Sequence, residues 1–186
     1  MDESLLAISD PREFGIAAHR SINQLRPHSD EPYEVHLAEV AALVKSVPHT
    51  PAMLAAAWTH DCRDDVPGVT VALLAKKFGT EAAQIVDDLS DHEKGLGNRR
   101  RRKAAERERI ANCSGASQTV RLADVISNVR TIVRRNPTFA AVYVPEKAEL
   151  VKVLVKGDPT LLALAHQTID TALRELAVLK EQSKDG

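Results

Sequence analysis

The sequence predicts an all-α fold in a single domain. Leu, Ala, Arg, Lys and Glu dominate the composition, and the alternating β-branched runs typical of strands are scarce. Apolar residues recur at intervals of three and four along most of the chain, which is the period of an amphipathic helix. The chain has 186 residues, the size of one domain, and no long linker divides it. We therefore expect one helical bundle over residues 1–186.

The predicted helices are delimited by Pro, Gly and short polar segments. The first begins at Pro11, where the missing backbone N–H costs little. The helix that begins at Pro51 is apolar on nearly every side, so we expect it to be central and buried. A charged, Gly-containing segment at 90–103 predicts a mobile loop that enters a helix ending near residue 111. The other helices are predicted at about 11–25, 32–47, 70–78, 80–89 and 117–135, with two more between 138 and 180, separated by Gly-Asp-Pro at 157–159.

The bulk composition excludes several classes of protein. The formal net charge is −1, so the whole molecule lacks the strong field expected of a protein that binds nucleic acid or an anionic membrane. No stretch approaches the roughly 20 apolar residues of a membrane span. The first residues are acidic and lack the pattern of a signal peptide. Cys62 and Cys113 form no disulfide framework. We expect a soluble, cytoplasmic protein.

The adjacent pair His60-Asp61 is the first candidate for a chemical role. It stands at the end of the buried helix, where polar groups are costly unless they are paired or bound to a metal. An imidazole beside a carboxylate suits a transition metal. The alternative is a histidine that interacts with the C-terminal dipole of its helix.

A polar stripe is the second candidate. Arg121, Asp124, Asn128 and Thr131 are spaced by three, four and three residues, which places them on one face of a helix. Such a stripe is usually a solvated face. This one is short of Lys and Glu, and apolar residues flank Asp124, so it could instead line a ligand cleft.

A third candidate, His36, lies on the apolar face of its predicted helix. A histidine there is commonly a core residue satisfied by a hydrogen bond. The order of the three signals is more informative than any one of them, because His, His-Asp and Asp in that order resembles the HD superfamily of metal-dependent phosphohydrolases. Two imidazoles and two carboxylates suit Mn²⁺, Fe²⁺ or Zn²⁺.

The segments around these residues resemble the hydrolase domain of RelA/SpoT-type alarmone enzymes, and especially the small stand-alone alarmone hydrolases. The similar motifs are Pro-Tyr-Glu-Val-His at 32–36, Ala-Ala-Trp-Thr-His-Asp-Cys-Arg-Asp-Asp at 56–65 and Arg-Leu-Ala-Asp-Val-Ile-Ser-Asn-Val-Arg-Thr at 121–131. The resemblance covers roughly residues 14–135. It implies an all-α HD-type helical bundle that removes the 3′-pyrophosphate from ppGpp or pppGpp, a guanine nucleotide alarmone.

The resemblance also implies a role for each motif residue. Asp64 and Asp65 would orient or deprotonate the attacking water, although the family has Glu at the position of Asp64. Asn128 and Thr131 would contact the sugar and base, and Arg26 would lie against the guanine. The metal, Mn²⁺ before other divalent transition metals, would be held by His36, His60, Asp61 and Asp124.

The basic run at 99–103 has two interpretations. Glutamates interleave with the arginines that follow it, which is typical of a solvated helix face. Alternatively, Arg99 together with Lys94 reaches the substrate phosphates. A nucleic-acid partner is not expected, since no aromatic platform accompanies the run. Two functional alternatives remain open: an HD phosphohydrolase acting on another nucleotide, and a non-catalytic nucleotide sensor.

Overall fold

A computed structural model describes residues 3–182 of the chain, and in this range the protein consists of α-helices joined by loops. The all-α prediction is confirmed, while residues 1–2 and 183–186 of the predicted 1–186 domain lie outside the described part. The helices are α1 (Glu3–Ala7), α2 (Pro11–Ser21), α3 (Glu34–Lys45), α4 (Pro51–Thr59), α5 (Cys62–Asp65), α6 (Val71–Phe78), α7 (Thr80–Leu89), α8 (Arg99–Asn112), α9 (Gly115–Arg135), α10 (Pro137–Val151) and α11 (Pro159–Gln182).

Most helix starts follow from local chemistry. Side-chain oxygens of Asp10, Thr50, Ser114 and Asn136 each accept a hydrogen bond from the backbone N–H three residues later. Each satisfies an amide that would otherwise lack a partner in the first turn. Proline follows the cap in α2, α4 and α10, where the absence of a backbone donor costs nothing.

One predicted helix end is wrong, and it lies beside the site. The first long helix ends at Ser21 rather than near residue 25, because Asn23 has a positive φ of 51° and the chain then forms a loop closed by a bridge between Leu25 and Pro32. The helix that begins at Pro51 ends at Thr59, next to the predicted end at His60 and Asp61, and the unpredicted short helix α5 follows it. His60 and Asp61 therefore lie at a break between two helices.

Helix α9 occupies the centre of the bundle. It contacts α3, α4, α7, α10 and α11, and most of its residues are buried, including the polar Ser127 and Asp124. Helix α4 is buried, as its composition predicted, but it lies to one side of α9. Gly15 allows α2 to approach α4 closely, because a Cβ at this position would lie 2.1 Å from the carbonyl oxygen of Trp58. The core thus holds α3 and the end of α4 against α9.

No helix among residues 3–182 is long and apolar enough to cross a membrane.

Candidate metal centre

Three buried side chains from three segments converge on one point. His36 comes from α3, His60 from the break after α4, and Asp124 from α9. The two Nε2 atoms are 3.2 Å apart, and Oδ1 of Asp124 lies 3.4 Å from Nε2 of His36 and 3.8 Å from that of His60. Donors that share one ion at about 2.1 Å each lie about 3.0–3.5 Å apart, so the spacing fits a single metal ion.

Hydrogen bonds on the far side of each ring orient the two imidazoles. Nδ1 of His60 donates to the carbonyl of Ala57 at 3.1 Å. Nδ1 of His36 lies 2.9 Å from Oγ of Ser127, whose hydroxyl donates to Glu39 at 2.6 Å and so accepts from the imidazole. With Nδ1 protonated in both rings, both Nε2 lone pairs face the centre. This is the arrangement in which histidine binds a metal ion.

The carboxylate of Asp124 is held on both oxygens. Asn128 donates to Oδ1 at 2.6 Å, and the guanidinium of Arg121 lies 3.1 Å from Oδ2. Arg121 also donates to the carbonyl of Leu89 and lies 3.6 Å from Glu106. Two members of the polar stripe predicted on this helix therefore position a third.

Asp61 occupies the solvent side of the group. Its Oδ2 lies 2.9 Å from Nε2 of His60 and 3.7 Å from Nε2 of His36, and it accepts a hydrogen bond from the hydroxyl of Tyr33. Its side chain keeps 30% of its exposure, whereas that of Asp124 keeps 7%. Asp61 thus stands between the buried donors and the neighbouring cavity.

The charges of the group favour a bound cation. Burial acts to lower the pKa of His60, but Asp61 and Asp124 outweigh it and raise the pKa to about 10. Burial acts to raise the pKa of Asp124, but the adjacent imidazoles of His36 and His60 and the charge of Arg121 hold the pKa well below its usual value. Two ionised carboxylates therefore concentrate negative charge beside the two imidazoles. This charge is compensated by a proton or by a divalent metal ion, for which the imidazole nitrogens and carboxylate oxygens are suitable ligands.

A cavity of about 310 Å³ opens beside Asp61 and Asp124. Helix α9 forms one wall from Asp124 to Arg135, a span of about 16 Å at 1.5 Å per residue. Helix α10 and the loop between α2 and α3 form the other walls. The residues that line the cavity are Arg26, Pro27, His28, Tyr33, Asp61, Asp124, Asn128, Thr131, Ile132, Arg135, Phe139, Tyr143 and Lys147.

A sequence model of the HD domain family matches residues 14–147. The chain belongs to the HD domain family. Among solved structures, this HD protein is similar to one described as a metazoan ortholog of SpoT that hydrolyses ppGpp and plays a role in starvation responses. The TM-score is 0.74 at 22% sequence identity, and the match covers 87% of this chain and 92% of that one. A search of curated proteins found no match.

Three of the predicted substrate contacts line the cavity of this HD domain, namely Arg26, Asn128 and Thr131. Arg26 is 2% exposed, and its Nη2 donates to the carbonyl of Ser127 at 2.6 Å and lies 3.0 Å from Glu39. These contacts, which the sequence did not predict, hold the guanidinium in place. It is therefore a fixed part of the cavity wall.

The other two predicted contacts, Lys94 and Arg99, do not line the cavity. Lys94 is exposed in the loop after α7. Arg99 forms a bidentate ion pair with Glu146 at 2.7 and 2.8 Å, and its guanidinium lies 5.6 Å from the ring centre of Phe139. Arg99 thus stands behind an aromatic ring that does line the cavity.

The two carboxylates predicted to act on water lie on α5, directly after His60 and Asp61. These two residues, with His36 and Asp124, are called the metal group below. Asp64 accepts a hydrogen bond from the backbone N–H of Asp91 at 2.7 Å, and Asp65 accepts one from Gln24 at 2.8 Å. Burial raises the pKa of Asp65 above its ordinary value and outweighs the hydrogen bond from Gln24, which acts to lower it. A raised pKa makes the carboxylate of Asp65 a better proton acceptor.

Sequence reasoning missed the wall formed by α10. Phe139, Tyr143 and Lys147 are spaced by four residues, so they share one helix face that lines the cavity. The rings of Phe139 and Tyr143 are 5.3 Å apart, and His28 lies 5.3 Å from Phe139 on the other side. The spacing was visible in the sequence, but no motif marked which face of this helix would meet the site.

Proposed function

We propose that this protein is a divalent-metal-dependent phosphohydrolase that removes the 3′-pyrophosphate from ppGpp or pppGpp, giving GDP or GTP and pyrophosphate. The observation that carries the proposal is the convergence of His36, His60 and Asp124, with Asp61 beside them, at one end of a cavity whose wall on α9 spans about 16 Å. A hydrolytic centre at the end of an elongated pocket suits a substrate whose reactive phosphate projects from a nucleoside.

His36, His60, Asp61 and Asp124 would hold the ion, with Mn²⁺ as our first choice among divalent transition metals. When bound, the ion supplies positive charge that offsets the negative charge developing on the phosphoryl oxygens. Ser127 and the carbonyl of Ala57 keep the two imidazoles in the required tautomer. Asn128 and Arg121 hold the carboxylate of Asp124 in one orientation.

Asp65 is our candidate for the group that accepts the proton of the attacking water. Its raised pKa brings its basicity closer to that of a general base. Asp64 is assigned a positioning role, because its carboxylate is bound to the amide of Asp91 and so ties α5 to the loop after α7. We thus assign proton transfer to Asp65 and positioning to Asp64, whereas the family resemblance gives both roles to the pair.

The far end of the cavity would hold the nucleoside. Asn128, which also holds Asp124, is followed by Thr131 one turn further along the α9 wall, and we assign both to the sugar and base. Arg26 contributes a rigid, buried guanidinium at the position that the resemblance gives to the guanine contact. The similar metazoan protein is described as hydrolysing ppGpp, which supports this choice of substrate. We place the protein in the cytoplasm, where such nucleotides would be met.

An HD phosphohydrolase of another nucleotide is the second candidate. Two observations favour it: Asp64 stands where the alarmone hydrolases have Glu, and the guanidinium of Arg26 is already bound to Ser127 and Glu39. A panel of nucleoside mono-, di- and polyphosphates, assayed with Mn²⁺, separates the two. Faster hydrolysis of ordinary nucleotides than of ppGpp would replace the first candidate by the second. Tight nucleotide binding without turnover, across several metals, would support a non-catalytic sensor instead.

A further inference from the structure

Lys147 is a cavity residue whose charge has no direct ionic partner in the described part of the chain. It lies on α10, is 7% exposed and lines the cavity. Its Nζ lies 5.0 Å from the ring centre of Tyr143. Among residues 3–182, no acceptor is within hydrogen-bond distance of this ammonium and no carboxylate is within ion-pair distance. Burial of a charged ammonium in such surroundings costs free energy unless an anion pairs with it.

The nearest acid does not supply that anion. Glu106 interacts electrostatically with Lys147 but does not contact it directly. Oε2 of Glu106 accepts a hydrogen bond from Lys103 at 2.6 Å, and Oε1 of Glu106 lies 3.6 Å from Arg121. Both carboxylate oxygens of Glu106 are therefore paired with other cations. The side chain of Lys147 lines the cavity.

The position of Lys147 relative to the metal group defines what it can reach. Glu106 contacts Arg121, and Arg121 in turn contacts Asp124, so Lys147 lies at the metal end of the cavity. Phe139 and His28 mark the opposite end, because His28 bonds Asn136, the residue that follows α9. A ligand that spans the cavity thus meets a cation and the metal group at one end and aromatic rings at the other.

We propose that Lys147 is a substrate-binding residue that pairs with the phosphate group lying at the metal end of the cavity. The inference rests on the proposed function in taking the ligand to be a phosphate ester, and it extends that function by naming a contact outside the motifs. The group bound is the pyrophosphate that leaves in the reaction, because it is the part of the substrate that must lie next to His36, His60 and Asp124.

Binding of inorganic pyrophosphate tests this inference separately from turnover. The variants are Lys147→Met, Lys147→Arg and the control Lys152→Met, which removes an exposed lysine just after the same helix, 2.5 Å from Glu149. Calorimetric titration of protein loaded with one equivalent of Mn²⁺ gives the Kd, and thermal melting reports the fold. We expect Lys147→Met to weaken pyrophosphate binding by about tenfold or more, the usual effect of losing a charge-assisted hydrogen bond. Lys147→Arg should retain most of the affinity, and Lys152→Met should match the wild type.

Two results would overturn the assignment. One is a folded Lys147→Met variant that binds pyrophosphate as tightly as the wild type. The other is a lower Tm for Lys147→Met and also for Lys147→Arg, with no change in the Kd of either variant, which would make Lys147 a structural partner of Glu106. Turnover of ppGpp by the wild type is measured in parallel. Its absence would count against the proposed function, while the comparison of pyrophosphate affinities would still decide the role of Lys147.

Discussion

The Nε2 atoms of His36 and His60 lie 3.2 Å apart, although each ring belongs to a different segment and each Nδ1 is hydrogen bonded away from the other ring. Two lone pairs at that distance repel one another unless a proton or a metal ion lies between them. The carboxylates of Asp61 and Asp124 approach the same point. The fold therefore maintains an arrangement that is favourable only with positive charge at its centre, and this relationship underlies the predictions that follow.

Ser127→Ala should weaken metal binding. The hydroxyl of Ser127 accepts from Nδ1 of His36, and its loss frees the ring to rotate or change tautomer. Loss of such a supporting contact typically lowers metal affinity by about 10–100-fold. Competitive titration with a fluorescent chelator measures the effect. Ser117→Ala is the matched control, because Ser117 is equally buried on the same helix and bonds Asp88 at 2.6 Å, away from the metal group. Equal affinities in both variants would contradict the assignment.

Asp65→Asn should lower kcat by about 10²-fold or more, with a small change in KM, if Asp65 is the proton acceptor. Asp64→Asn should have a weaker effect, since the amide oxygen of Asn can still accept the hydrogen bond from Asp91. Steady-state kinetics on both variants tests the division of roles. The reverse order of effects would move the base to Asp64.

Phe139→Ala should raise KM for a nucleotide substrate while kcat changes little. The ring lines the cavity at the end away from the metal group, and stacking of a base on an aromatic ring contributes about 1–3 kcal/mol, which corresponds to roughly 5–150-fold in KM. Val142→Ala is the control, because Val142 lies on the same helix and is 53% exposed. A fall in kcat at constant KM would show that the base binds elsewhere.

Glu106 should make the protein more stable at neutral than at acidic pH. Burial acts to raise its pKa, but the charges of Arg121, Lys147 and Lys103 outweigh it and lower the pKa to about 2. The stabilisation is therefore complete above the ordinary value of 4.5 and is lost as the pH falls toward 2. Glu106→Gln should lower the free energy of unfolding by on the order of 3 kcal/mol at pH 7.

Urea denaturation at pH 7 and at pH 3.5–4 measures this dependence, and the gap between wild type and Glu106→Gln should narrow at the lower pH. Glu149→Gln is the control, because Glu149 forms an exposed pair with Lys152. A gap that stays constant with pH would mean that the carboxylate charge is not what stabilises this position.

The sequence predicted the all-α fold and which side chains would lie together as candidate metal ligands, because helical periodicity and the order His, His-Asp, Asp are local patterns. His36, His60 and Asp124 indeed converge. The sequence also placed His60 and Asp61 at the end of the buried helix, where α4 does end, but it did not predict the short helix α5 that follows them.

The cavity walls were less predictable than the metal group. Lys94 and Arg99 are predicted from their charge, yet Arg99 is paired with Glu146, and the cations that line the cavity include Lys147 on α10 instead. A lysine four residues after Tyr143 reads as an ordinary helix-surface residue. Its burial depends on how α10 packs against α8 and α9, which is tertiary information that no segment of the sequence contains alone.

Release of pyrophosphate from ppGpp by the purified protein loaded with Mn²⁺, measured beside Asp61→Ala, is the most direct test of the central claim. We predict turnover that disappears in the variant and when the metal is removed by chelation. Turnover that persists in Asp61→Ala would contradict the assigned metal site. No turnover of ppGpp by folded, metal-loaded wild type would contradict the assigned substrate.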